Sequence, residues 1–346
     1  MYGLRENGHL AYVLAAGPPS PGDGVEIIRL PRFALPAPAT EDVLLTALAS
    51  TSTVADDARH LLSQVDADLV CWVDATWGLG FLAPHPGIAT ALMMRVLRTD
   101  TYLHQALAHQ PDRVLTNSEF LIREATNAGL DTRGWRAVPN ALLTPGTPPS
   151  ATAREHLRTS GPVRIVARAE PHKGIAELIT ACPHTFERDV EIVLATAGFE
   201  YWPGMQQQVI ADCQSRARAH PRVRLVADLP WRAVQPFLAG AACTVIASTS
   251  PETFCNTALE ALSVATPVVT FDLGHVPTLI GNAGAVVPPS AGAAGLWQAV
   301  TELLADTEGY QRASQTAIQR AAKHDPAAIA EQFLRVVEPA LQRRAD

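Results

Sequence analysis

Short apolar runs bounded by turn residues alternate along this chain with longer stretches in which apolar positions recur every three or four residues. The first pattern predicts strands and the second helices. The residues before Gly8 read as the end of a helix. After it, Leu10–Ala15, Ile27–Leu30, Asp68–Val73, Arg113–Thr116 and Trp135–Val138 read as strands. Asp68–Val73 is a continuous apolar run, the mark of a parallel strand covered on both faces. Ala89–Leu97 fits either a strand or a helix. Glu41–Val65 has helical composition, with Ser50-Thr51-Ser52-Thr53 placed to break it in two, and Ser118 opens a helix that Gly129 ends. Pro31–Pro38 reads as a surface connection.

Thr144–Ser150, T-P-G-T-P-P-S, is the best linker in the chain, and the alternation restarts after it. Strands are predicted at Val163–Ala167, Val190–Ala195, Val223–Val226, Cys243–Ala247, Pro267–Phe271 and Ala285–Val287. Helices are predicted at Gly174–Cys182, Met205–Ala219, Val234–Leu238, from Asn256 onward, at Leu296–Leu304 and Tyr310–His324, and from Asp325-Pro326 past Leu334. This alternation argues for an α/β protein with parallel sheets. The architecture it predicts is two Rossmann-like domains facing across a crevice: one at 1–145, one at 146–325, and a C-terminal helix at 326–346 placed to pack back on the first. A doubly wound domain normally opens with a strand and a glycine-rich turn. Neither is found here, so the first domain reads as lacking its first strand, either because the start lies upstream or because the domain is trimmed.

Composition narrows the classes without naming one. The 346 residues are 47% hydrophobic and 18% charged, enough for two packed domains, and the net charge of −7 offers no general attraction to nucleic acid or anionic lipid. No run approaches the ~20 apolar residues of a membrane span, and the first residues are not those of a signal peptide. Five scattered cysteines (71, 182, 213, 243, 255) lack metal or disulfide spacing and read as reduced core residues, so the cytoplasm is the expected compartment. The only lysines are Lys173 and Lys323.

Candidate chemistry gathers at two strand ends of the second half. The strand Val163–Ala167 ends at Arg168, and Lys173 follows just before Gly174 opens a helix. Two cations beside a helix N-terminus suit a diphosphate. After the strand Cys243–Ala247, the stretch S-P-E-T-F-C-N-T-A-L-E at 250–260 sets Glu252 and Glu260 about a helix N-terminus. Ionised carboxylates are acceptors only, which suits sugar and ribose hydroxyls. The plainer alternative at each place is a solvated surface: an Arg and a Lys in a polar loop, and acidic residues complementing a helix dipole.

The segments A-R-A-E-P-H-K-G at 167–174, S-P-E-T-F-C-N-T-A-L-E-A-L at 250–262 and T-P-V-V-T at 266–270 together resemble the retaining family 4 glycosyltransferases of GT-B fold, the glycosyl transferases group 1. L-I-G-N-A-G-A-V-V-P-P at 279–289, N-S-E at 117–119 and V-P-N-A at 138–141 extend the likeness. The resemblance implies Arg168 and Lys173 on the donor diphosphate, Glu252 on the donor sugar, Glu260 on the nucleotide ribose, and backbone N–H groups around Phe254, Cys255 and Asn256 close to sugar or phosphate. It implies a catalytic part for Arg168, Lys173 and Glu252. It also implies a UDP- or GDP-sugar as donor substrate, no cofactor and no metal, and an unidentified small-molecule, glycan or glycolipid acceptor. The sequence departs from the family at Cys255, where a Gly is usual, and at His275 and Thr278, near a usual Gly and Glu. The family's first-domain His has no match; Arg95, Arg98 and Asp100 lie in that region, while His85 and His104 read as surface residues. The competing readings are a non-catalytic nucleotide-sugar-binding protein or inactive partner subunit, and a GT-B epimerase or phosphorylase. The scarcity of lysine argues against the phosphorylase.

Overall fold

The computed structural model of the protein describes residues 1–15, 26–29, 38–49, 51–74 and 87–345. Most of the proline-rich connection at 31–38 and His85 lie outside them. The chain divides into two compact units, one of Met1–Ala141 with Pro326–Asp346, the other of Leu142–Asp325.

The first unit opens with helix α1 (Tyr2–Glu6) and a parallel pair of strands, β1 (Tyr12–Ala15) and β2 (Glu26–Arg29), followed by the short β3 (Ala39–Thr40). Next come α2 (Glu41–Ala49) and α3 (Thr51–Gln64); Ser50, where the predicted break begins, lies outside the described residues, and Thr51-Ser52-Thr53 are helical. A four-stranded parallel sheet then runs in simple order through β4 (Leu69–Val73), β5 (Ala89–Met94), β6 (Arg113–Thr116) and β7 (Arg136–Ala137). The ambiguous Ala89–Leu97 is thus a strand. Its residues Ala89, Ala91 and Leu92 are almost wholly buried, because both faces of a parallel sheet are covered. Sequence reading passed over α4 (Thr101–Ala108), which Asp100 caps by accepting from Leu103 N at 3.0 Å. Ser118 caps α5 (Glu119–Asn127) as expected.

The second unit begins with a helix that the linker concealed. Ser150 caps α6 (Ala151–Ser160), whose Arg154 is 5% exposed. The division between units falls before the proline-rich stretch, at 141–142, because Leu142 is already core: its side chain is buried and its N–H reaches His324 O at 2.9 Å. The remaining elements are β8 (Val163–Arg168), α7 (Ile175–Thr180), β9 (Val190–Ala195), β10 (Phe199–Glu200), α8 (Met205–Ala217), β11 (Val223–Val226), α9 (Val234–Ala239), β12 (Thr244–Ile246), α10 (Asn256–Ser263), β13 (Val268–Phe271), α11 (Val276–Ile280), β14 (Gly284–Val287), α12 (Gly292–Ala305) and α13 (Thr307–Ala321). Helix α11, not predicted from the sequence, is only five residues long and carries Pro277 in its first turn.

Two three-stranded parallel ladders, β11-β9-β8 and β12-β13-β14, meet where Val163 bridges Cys243 and Arg164 N reaches Cys243 O at 3.2 Å. The six strands therefore run in the order third, second, first, fourth, fifth, sixth, the doubly wound order of a Rossmann fold. Alternation on β8 puts Val163 and Ile165 into a core with α7 and α12, and Val166 into a core with α9 and α10. Helix α14 (Pro326–Ala345) then returns to the first unit. There Ile329 and Val337 share a core with Ala91, Leu115 and Val138, and Arg113 Nε donates to Val336 O at 3.0 Å.

Arg154 holds the second unit together by a single buried cation. Its guanidinium donates to Ala241 O at 2.6 Å, Ala239 O at 3.2 Å, Val264 O at 2.8 Å and Thr266 Oγ1 at 3.1 Å. Those carbonyls lie at or just beyond the C-terminal ends of α9 and α10, where orphan acceptors and negative dipole ends collect. Replacing Arg154 by Met leaves several buried carbonyls unpaired. The expected cost is about 2–4 kcal/mol, read as a lower urea midpoint at unchanged slope. An unchanged midpoint would show that water replaces the guanidinium without loss.

Candidate functional site

The switch in strand order between β8 and β12 leaves a gap at their carboxyl ends, the place where open α/β sheets bind ligands. Both predicted stretches start there. From β8 the chain runs through Arg168 into a short 3₁₀ turn, Pro171–Lys173, and Gly174 opens α7. Gly174 has φ +67°, and a Cβ on it would lie 2.2 Å from Ala247 O at the end of β12. Only glycine allows both the left-handed turn and that approach. Thr249 N donates to His172 O at 2.8 Å and fastens the two loops together.

Their side chains meet directly. Lys173 Nζ lies 2.6 Å from Glu252 Oε1, and Ser248 Oγ donates to the same oxygen. Burial alone would raise the Glu252 carboxyl, yet the charge of Lys173 and these hydrogen bonds hold it below the ordinary carboxylate value. Glu252 is therefore a fixed anion, and Lys173 keeps two of its three donors for another acceptor. The Glu252 backbone is set by the loop after β13. Its carbonyl accepts from His275 N at 2.8 Å, and a Cβ on Gly274 (φ +71°) would lie 2.5 Å from Glu252 N and O.

Phe254, expected near the ligand through its N–H, turns its ring into the core, stacked on His275 at 5.5 Å and edge-on to His324 at 5.5 Å. Cys255 immediately precedes α10 with φ 80° and ψ 85°. It thus holds a conformation that glycine, the residue usual in the resembling family, adopts freely, and a β-carbon there costs about 1–3 kcal/mol. Burial pushes its thiol up to about 12, so it is no nucleophile. Asn256 starts α10, and Glu260 follows one turn later. No hydrogen bond or ion pair reaches the Glu260 carboxylate among the described residues, and burial raises it to about 7. Arg168 is 52% exposed and lies 2.8 Å from Glu170 Oε1. Glu170, His172, Ser248 and Gly274 were not singled out from the sequence. Of these, only Gly274, at a predicted strand end, carried a signal.

In the first unit, the residues standing near the expected His are structural or unengaged. Arg98 pairs with Glu41 and Asp100, and Asp100 caps α4. Arg95 is held by its backbone, N to Asp74 Oδ1 at 2.6 Å and O to Asn117 Nδ2 at 3.2 Å. Asp74 adopts φ 57° to do so. His104 is exposed, as expected. Among the described residues no three His, Cys, Asp or Glu side chains gather as metal ligands, and no helix is long and apolar enough to cross a membrane.

Comparison with known proteins bears on this site. Residues 163–306 match the family described as glycosyl transferases group 1. The chain is 32% identical over 219 residues to the alpha-maltose-1-phosphate synthase of Mycolicibacterium smegmatis, a match covering 60% of this chain and 52% of that protein. The chain thus spans about half the length of that relative. In structure it is similar to sucrose-phosphate synthase from Thermosynechococcus elongatus (TM-score 0.78, 19% identity, 99% of this chain and 91% of that one). It is also similar to the Anabaena protein HepE in complex with UDP and glucose (TM-score 0.66, 16% identity, 91% and 86%). The fold is that of the GT-B glycosyltransferases.

The Glu260 carboxyl keeps its proton up to about pH 7 in the folded protein, against 4.5 ordinarily. The folded state therefore binds more protons between those values, and stability falls as pH rises through that window. Glu260→Gln removes this loss. It is expected to stabilise the ligand-free protein at pH 8 by roughly 2 kcal/mol and to have little effect near pH 4.5. Denaturant titrations at both pH values check this; an equal effect at both would place the cause elsewhere.

Proposed function

We propose, since residues 163–306 match the glycosyl transferases group 1 family, that this protein transfers a sugar from a nucleoside-diphosphate sugar to an acceptor hydroxyl with retention at the anomeric carbon. The observation that carries this reading is the Lys173–Glu252 pair at the switch between β8 and β12. It joins a phosphate-seeking cation to a hydroxyl-seeking carboxylate at 2.6 Å. Supporting it, HepE is a structural neighbour seen with UDP and glucose.

Each group then has a task that its surroundings suit. Arg168 and Lys173 lie on the diphosphate and stabilise charge as it leaves, supplying what a divalent cation would otherwise bring. Glu252, anionic and oriented by Ser248, accepts from hydroxyls of the donor sugar. Glu260, half-buried and unpaired, ionises fully when ribose hydroxyls donate to it. The N–H groups at the start of α10 add a positive dipole end. In a front-side displacement the bond from the anomeric carbon to the diphosphate oxygen breaks as the bond to the acceptor oxygen forms. The acceptor's proton passes to the departing phosphate oxygen on the same face. The acceptor is a small molecule, glycan or glycolipid, and the cytoplasm is the expected compartment.

Calorimetric binding of UDP-, GDP- and ADP-sugars without added metal tests the site first. A selective hit lost in Glu260→Ala supports the ribose contact. Lys173→Ala is expected to lower donor consumption at least about 100-fold, measured as nucleoside diphosphate release, and near-normal turnover would remove Lys173 from the mechanism. Tight binding with neither transfer nor hydrolysis would favour the non-catalytic nucleotide-sugar-binding protein.

A further inference from the structure

One charged pair beside this site has no part in the reading above. Glu170 is 2% exposed, and each of its carboxylate oxygens faces one base: Arg168 Nη1 at 2.8 Å from Oε1, and His172 Nε2 at 3.2 Å from Oε2. Neither contact is aligned as a hydrogen bond, and both oxygens are otherwise without a partner. Glu170 is pinned by its backbone, N to Arg168 O at 2.8 Å and O from Lys173 N at 3.1 Å. His172 is pinned too, through its carbonyl to Thr249 N, with its ring edge-on to Tyr201 at 6.0 Å between centroids. Of the three, Arg168 alone is half exposed.

We propose that Glu170 and His172 form a proton-coupled clasp behind Arg168. In the empty site Glu170 holds the guanidinium. When the donor diphosphate draws Arg168 away, His172 takes a proton from solvent and keeps the buried carboxylate paired. The proposal rests on the reading of this loop as the diphosphate side of a donor site. Its physical cause is that a buried carboxylate left without a counter-ion is costly, whereas a neutral imidazole at 3.2 Å can become one by gaining a single proton. The groups facing His172 are Glu170, Arg168 and Lys173 from its own loop, Glu252 from the β12–α10 loop, and Tyr201 from the segment after β9. Burial, then the charge of Lys173, lowers the basicity of the ring against the opposing pull of Glu170 and Glu252, so the ring of the empty site is mostly neutral near pH 7.5. A bound diphosphate reverses that balance. The added proton goes to the free ring nitrogen, and the imidazolium then donates from both nitrogens.

The test is calorimetric titration at pH 7.5 in two buffers of different ionisation heat, using whichever of UDP-, GDP- or ADP-glucose binds best. Their diphosphate diesters do not titrate near this pH. Glu260 releases some proton on the same event, so the quantity read is the difference between wild type and His172→Gln. That difference is expected to be about half a proton taken up per site. Glu170→Gln should abolish it while leaving the ligand bound. In the ligand-free protein, nitrogen-15 histidine spectra should show the His172 titration moved down by at least about half a unit in Glu170→Gln. Binding with no difference in protons between wild type and His172→Gln overturns the clasp while sparing the donor site. Failure of every nucleotide sugar to bind defeats the donor reading and the clasp together. An unmoved His172 titration in Glu170→Gln overturns the pair itself.

Discussion

The contact between the first and fourth strands of the second unit sets everything that follows. Val163 bridges Cys243, and a few residues on, Gly174 lies against Ala247 O where any side chain would collide. That close approach brings two loops, nearly eighty residues apart in sequence, near enough for Lys173 and Glu252 to pair. A side chain at Gly174 would meet Ala247 O at 2.2 Å, so this approach is open to glycine alone. The site follows from sheet order, which sets β8 beside β12.

The groups gathered there are costly in a folded protein. Glu170 is a buried carboxylate with poorly aligned partners, Cys255 occupies a backbone region that side chains avoid, and Glu260 is held partly out of water with no counter-ion among the described residues. A core selected for stability alone would contain none of them, and strained or unsatisfied groups collect where a ligand completes them. The contrast with Arg154 is instructive. It is a buried charge too, but carbonyls and a hydroxyl surround it, so it serves the fold.

Much of this was legible in the sequence because its signals were local. The apolar runs marked the major strands, Ser118 and Gly129 marked both ends of one helix, and Arg168, Lys173, Glu252 and Glu260 stood in recognisable stretches. What escaped was short or depended on distant partners. Helix α6 hid behind a proline-rich linker, α4 and α11 were too short for a period to show, and the packing of the Phe254 ring depends on His275 and His324, far along the chain. Glu170 and His172 carried no signal of their own, since nothing in their segment says that one will be buried beside the other.

The first unit takes its last helix, α14, from the far end of the chain, after the whole of the second unit. For a protein made from its N-terminus, this fixes an order of assembly. Ala91, Leu115 and Val138 emerge early, yet the face they form stays uncovered until Ile329 and Val337 arrive. The second unit, continuous in sequence, has every residue it needs before that moment. The domain begun first is thus the one finished last, and its exposed sheet face is the surface a chaperone would have to guard during synthesis.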